Sequence, residues 1–246
     1  MVKKFLPKLS IGLKIYGLAA TILFILLGVA LSNYQQMRRV NQNVLALAEY
    51  TAPLKKHIAS INIHALEQEV HFERMLRILE METIDTEHFE REQQRFASLG
   101  TLVDQELESA LELAATAIAN ASDSSTLVRF AQLRPWLEIV EADHQYFQDQ
   151  ALKVVNLLQT EQDEAAHFLD LELEQHEEIF NQRIYTILLD LDQFAAETAQ
   201  NIEAQERKLL RFNLWLTAIA TVSGLTLASL LTLRLINPVK KLVQGA

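Results

Sequence analysis

Hydrophobic and polar positions divide this 246-residue chain into two unbroken apolar runs with a long amphipathic stretch between them. The first run covers residues 15–31, with 11–13 extending it and Lys14 able to snorkel towards headgroups. The second covers 212–233, holds no charged residue before Arg234, and carries Trp215 near its start. Each is long enough to cross roughly 30 Å of hydrocarbon, which predicts transmembrane helices over 11–32 and 212–234. The first run is longer than the apolar region of a signal peptide and lacks a small-x-small cleavage site, so a retained helix is expected.

Between the runs the pattern has a period near 3.6 residues, and no strand pattern is found. Few breakers interrupt it. Thr83-Ile84-Asp85-Thr86 reads as a turn with an N-cap at Asp85 or Thr86, and 120–125 is dense in Asn, Ser and Asp. Thr160 is a third candidate cap. Four helices follow, over 33–82, 87–119, 125–159 and 161–211. If both ends meet the membrane on one side, they form an up-down-up-down antiparallel bundle, an all-α fold. The outer two helices exceed the inner two by roughly fifteen residues, or about 22 Å at 1.5 Å per residue. A monomer would leave that excess as a two-helix stalk, and a homodimer would make it four helices. Pro53 is expected to kink or weaken the first helix where stalk meets bundle, and Pro135 to act similarly in the third.

Each helix carries a seam of apolar residues at steps of three and four. Leu54, Ile58, Ile61, Phe72 and Met75 mark the first, and Phe130, Leu137, Val140, Phe147 and Val154 the third. The second runs Phe89, Phe96, Leu99, Val103, Glu106, Ala110, Leu113. The fourth runs Leu173, His176, Phe180, Ile187, Leu191, Phe194, with a phase shift near Ile184.

Charge changes the picture by assigning sides. Every Asp and Glu lies between 33 and 211, where 32 acids meet 15 Lys and Arg for a net charge of −17. The flanks hold seven Lys and Arg and no acid. Both termini (1–10 and 235–246) are therefore expected in the cytoplasm and the acidic segment outside, although five Lys and Arg crowd the outer ends of the spans. The acidic balance argues against nucleic acid and suits cations or a solvated surface. The chain has no cysteine, so the outer domain is held without disulfides and c-type haem is excluded. Nothing resembles a nucleophile elbow, a phosphate loop or a nucleotide fingerprint, and no enzyme site is expected in these residues.

Each seam has one polar intruder: Gln68, Glu106, His144 and His176. Counting residues from the nearer span puts all four at similar heights, which predicts one polar layer. His64, Glu67 and His71 flank it on the first helix, and Glu141 and Glu172 are within reach. Imidazole and carboxylate converging inside a bundle build metal or haem b sites, and Glu141-x-x-His144 and Glu164-x-x-His167 have the spacing of carboxylate-bridged bundles. Buried polar residues also fix register or switch on protonation, so three readings of the layer stand open.

After the second span come Ile236-Asn237-Pro238-Val239-Lys240-Lys241-Leu242. This stretch resembles the opening of a HAMP domain, in which Pro follows the span and an apolar residue, here Leu242, comes four later. With the layout of the whole chain, it resembles the four-helix-bundle input module of bacterial chemoreceptors and sensor histidine kinases. The resemblance implies a homodimer in the inner membrane, a periplasmic ligand domain, and a small piston or tilt of the last helix that HAMP converts into a change of packing. It implies Arg74 and Arg77 as ligand contacts, by location alone, and Pro238 and Leu242 in signal transmission. The output module is expected beyond residue 246. Two rival expectations are a membrane-anchored metal or haem bundle and a dimerising structural stalk.

Overall fold

The structure, a computed structural model, describes residues 11–81, 83, 85–121 and 124–243; the side chains of 11–15 and 231–243 and several others in the two apolar runs lie outside the description. All described elements are helical: α1 Ile11–Leu45, a π-helical turn Ala46–Thr51, α2 Ala52–Leu79, α3 Thr86–Asn120, α4 Ser124–Gln159 and α5 Asp163–Val243. The chain is all-α among the described residues. It divides into two compact units, 42–199 and the remainder formed by both ends of the chain.

The 42–199 unit is an antiparallel four-helix bundle, as the inter-helix pairs show. His57 meets Glu106 and His71 meets Glu92, so α2 and α3 run opposite ways. Arg129 meets Asp190 and Arg183 meets Asp143, giving the same for α4 and α5. Lys55 with Asp192 closes the ring between α2 and α5. The α4 seam is buried from Phe130 to Val154 as the pattern predicts, and so is α2 from Leu54 to Met75, except that Ala65 is only half-buried.

Two seams are corrected. In α3 the buried positions after Val103 are Leu107, Ala110, Ala114 and Ala117, so Glu106 sits on the edge of the seam and turns outward to His57. In α5 there is no phase shift: Ile184 is fully buried, and 173, 180, 184, 187, 191 and 194 are all inside. In α3 two successive i+4 steps, Leu99 to Val103 to Leu107, keep the apolar stripe facing inward, because 3.6 residues per turn drift against a strict alternation, whereas in α5 Ile184 simply continues the alternation.

The expected weakening at Pro53 takes the form of a π-helical turn. Proline at the second residue of α2 has no N–H to return to the preceding turn, and its ring crowds the carbonyl four residues back. One widened turn absorbs both, and the buried Thr51 hydroxyl donates to the Ala46 carbonyl across it (3.0 Å). Helix α4 continues through Pro135. Asp85 is the N-cap of α3, accepting from the His88 N–H at 3.0 Å. Thr160 caps nothing; its hydroxyl donates to the Asn156 and Leu157 carbonyls at the end of α4. There the chain turns through Glu161 at φ 58°, and α5 starts at Asp163, two residues later than predicted.

The other unit holds the N-terminal part of α1 and the C-terminal part of α5. Its described apolar side chains face no protein core: Tyr16, Phe24, Leu214 and Trp215 are all more than two-thirds exposed. Among the described residues one helix is long and apolar enough to cross a membrane, within Asp163–Thr226, and none of its apolar window is buried. Pro238 and Leu242 fall on the helical backbone of α5, with side chains outside the described residues.

Candidate functional site: a polar layer between two cores

The apolar interior of the bundle is split in two. One cluster, with Leu54, Ile58, Leu107, Phe130, Ile184 and Leu191, lies towards the Pro53 end. The other, with Phe72, Met75, Phe96, Phe147, Ala151 and Leu173, lies towards the far turns, and its three phenylalanine rings pack at 6.0–6.2 Å between centroids. Between them, at one height, lie Gln68 and His144, with 0% and 1% of their surfaces exposed. A polar layer was legible in the sequence, and the structure places two of its four predicted members together.

His144 is held from three helices. Its Nδ1 is 3.0 Å from Asp104 Oδ1, its Nε2 is 3.0 Å from Gln68 Oε1, and Phe180 of α5 lies against the ring at 6.4 Å. Gln148 brings its amide within 3.2–3.3 Å of both ring nitrogens. Gln68 in turn donates to the Phe96 carbonyl (3.3 Å). A neutral imidazole donates through only one nitrogen, yet oxygen acceptors flank both. Burial holds the His144 pKa below the usual histidine range, while the charge and hydrogen bond of Asp104 pull it back up; burial wins.

Gly100 makes the layer possible. A Cβ there would stand 2.7 Å from Gln68 Nε2 and 2.9 Å from Gln148 Oε1, so the two amides need the bare backbone of α3 between them. Asp104, Gln148 and Gly100 were missed in the sequence. The signal that could have found them is the glycine itself, alone in a stretch of strong helix formers between the apolar runs, where it costs roughly 1 kcal/mol against alanine unless packing needs it.

The other predicted members make no hydrogen bond to His144 or Gln68 among the described residues. Glu106 pairs with His57. His176 lies at the rim, its ring against Tyr146 at 4.4 Å between centroids and tilted by 42°, and Glu172 accepts from the Tyr146 hydroxyl at 3.4 Å. Glu141 lines an outer groove beside Asp104 and Glu108. His64 keeps a buried Nδ1 without a hydrogen-bond partner among the described residues, with Glu67 at 4.0 Å. His71 bonds Glu92, which also meets His88 at 3.3 Å and Arg74 at 3.7 Å. Burial raises the Glu92 pKa, but the hydrogen bond and charge of His71, followed by the Arg74 charge, outweigh it and leave the carboxyl below its usual range. Glu164 and His167 are both exposed. Among the described residues no three His, Asp or Glu side chains are grouped to hold a metal ion.

Arg74 and Arg77 lie one turn apart on α2. Arg74 lines a shallow groove with Leu66, Val70 and Arg95, and Arg77 faces Glu73. A cavity of about 20 Å³, room for one water, opens on the α5 side of His144, between Glu69, His176 and Glu177. No protein-family model, curated protein or solved structure matches this chain.

Proposed function

We propose that this chain is the input part of a transmembrane sensory receptor, detecting a ligand outside a bacterial inner membrane and passing a helix displacement to a HAMP domain and a cytoplasmic output module. The observation that carries this reading is α5, an unbroken helix from Asp163 to Val243 that contains both a wall of the bundle and an apolar stretch with no buried residue. Shifts of one or two ångströms along a helix are an established way to carry a signal between distant sites. The second span is the apolar stretch of α5. The first is the N-terminal part of α1, where Leu23, Phe24 and Leu27 stand more than half exposed.

In this reading, occupancy changes how α5 packs around the His144 layer. The energy transmitted equals the ligand's difference in affinity for the two packings, typically about 1–3 kcal/mol. Exposed Ile63, Leu66 and Val70 line the outer face of α2 at i, i+3 and i+7, a stripe that suits a second copy of the chain in a homodimer. Arg74 and Arg77 continue along α2 from that stripe and are the candidate contacts for an anionic ligand.

Residues 1–246 hold no cysteine, so introduced thiols are unique within them. Lys55→Cys and Asp192→Cys replace an existing α2–α5 pair, and a bis-maleimide bridge between them restrains α5. In the receptor carrying its output module, the bridged form should lose its response while the unbridged double variant keeps it. Unchanged signalling from the bridged form contradicts the mechanism.

A further inference from the structure

Around the bundle, helix edges are mostly joined by opposite charges. Lys55 meets Asp192, Arg129 meets Asp190, and Arg183 meets Asp143. The far half of the α2–α5 contact breaks that rule. Glu69 and Glu73 of α2 face Asp170, Glu174 and Glu177 of α5, and Glu69 and Glu177 line one small cavity from opposite helices, with their carboxyls near enough to share a hydrogen bond. Two carboxyl groups bond only if one keeps its proton.

The surroundings offer little positive charge. Arg77 acts on Glu73 from the same helix, and His167 acts on Asp170 from within α5. Glu80 adds another negative charge near Asp170. From α4, Asp143 borders the same cavity but is already tied to Arg183, and His144 is turned to Asp104 and Gln68. His176 borders the cavity from α5. Helix α3 contributes no residue lining it.

We propose that this carboxyl seam is a proton-operated latch: protonated, the Glu69–Glu177 pair holds α2 and α5 together in the far half of the bundle, and losing the proton spreads them. The inference concerns the bundle alone and does not depend on the receptor reading. If that reading holds, the latch makes external acidity an input acting on the signalling helix.

The chemistry gives the direction. Burial, then the charge and hydrogen bond of Glu69, push the Glu177 pKa up from 4.5 to about 8. Burial and Asp170 raise Glu73, and burial and Glu174 raise Asp170. The folded state therefore holds more protons than the unfolded chain between these values. The stabilisation is complete below about pH 4.5 and is lost as pH rises through about 8.

The test uses the full chain in detergent with spin labels at Met81→Cys and Phe168→Cys, both exposed and outside the carboxyl pair. The label distance should widen as pH is raised from about 5 to about 9, while Glu177→Gln should stay at the short distance throughout, because an amide pairs with Glu69 without a titrating proton. Thermal unfolding gives a second readout. The parent's melting temperature should fall by about 5 °C or more over this range relative to that of Glu177→Gln, with Glu178→Gln behaving as the parent. A distance that does not change with pH, or one that changes equally in Glu177→Gln, overturns the latch.

Discussion

His144 and Gln68 are the residues on which the bundle interior depends most sharply. Each fills part of the other's hydrogen-bonding capacity in the bundle interior, so removing one leaves the other buried and short of a protein partner. Gln68→Leu alone should cost about 1–3 kcal/mol, whereas Gln68→Leu with His144→Leu should cost clearly less than the sum of the two single changes. Urea unfolding of the four proteins measures the coupling, and strict additivity would contradict the layer as a unit. Because the folded His144 pKa is depressed, the parent binds fewer protons than its unfolded chain below about pH 6.5, and this histidine's contribution to stability is present above that value and lost as pH falls. That is opposite in sign to Glu177, so the two limbs of the pH profile report different residues. The sequence revealed the intruding histidine and glutamine because they interrupt otherwise apolar seams. It could not reveal Asp104 or Gln148, which reach the layer from beside their seams, nor the Glu69–Glu177 pair, which looks like an ordinary solvated face until two helices are placed together.

At the scale of elements, helix extents were legible because the amphipathic pattern is long and its breaks are chemically plain. Asp85 stops and restarts the chain through a cap that its side chain satisfies directly. The α4–α5 turn was misread because its signal is absent. Gln162 N–H bonds the Leu157 carbonyl (2.9 Å) and Glu161 N–H the Leu158 carbonyl (3.2 Å), a Schellman turn that usually carries glycine at the left-handed position, filled here by Glu161. Replacing it by glycine removes the clash of Cβ with the backbone, and Glu161→Gly should stabilise the fold by about 0.5–1 kcal/mol in thermal unfolding. A loss of stability would show that the Glu161 side chain makes a contact that matters more than its backbone strain. The error in α3 has a different origin. Glu106 fits a three-four alternation on paper, but Leu107 fills the core position, and a charged residue one place away from the seam is free to find His57.

For the whole molecule, the division between an acidic bundle with a filled core and a unit whose described apolar side chains face no core carries the account. Exposed apolar side chains on this scale indicate a membrane or another protein. Topology decides between these, and it can be read with single cysteines because the chain has none of its own. Thr83→Cys lies at the far turn of the bundle, and Val2→Cys lies in the basic N-terminus. The measurement is labelling of each variant with a membrane-impermeant thiol reagent on intact bacterial cells expressing the chain, before and after permeabilisation. The account predicts that Thr83→Cys is labelled on intact cells and Val2→Cys only after permeabilisation. Thr83→Cys shielded until permeabilisation, or recovery of the chain in the soluble fraction, would contradict it.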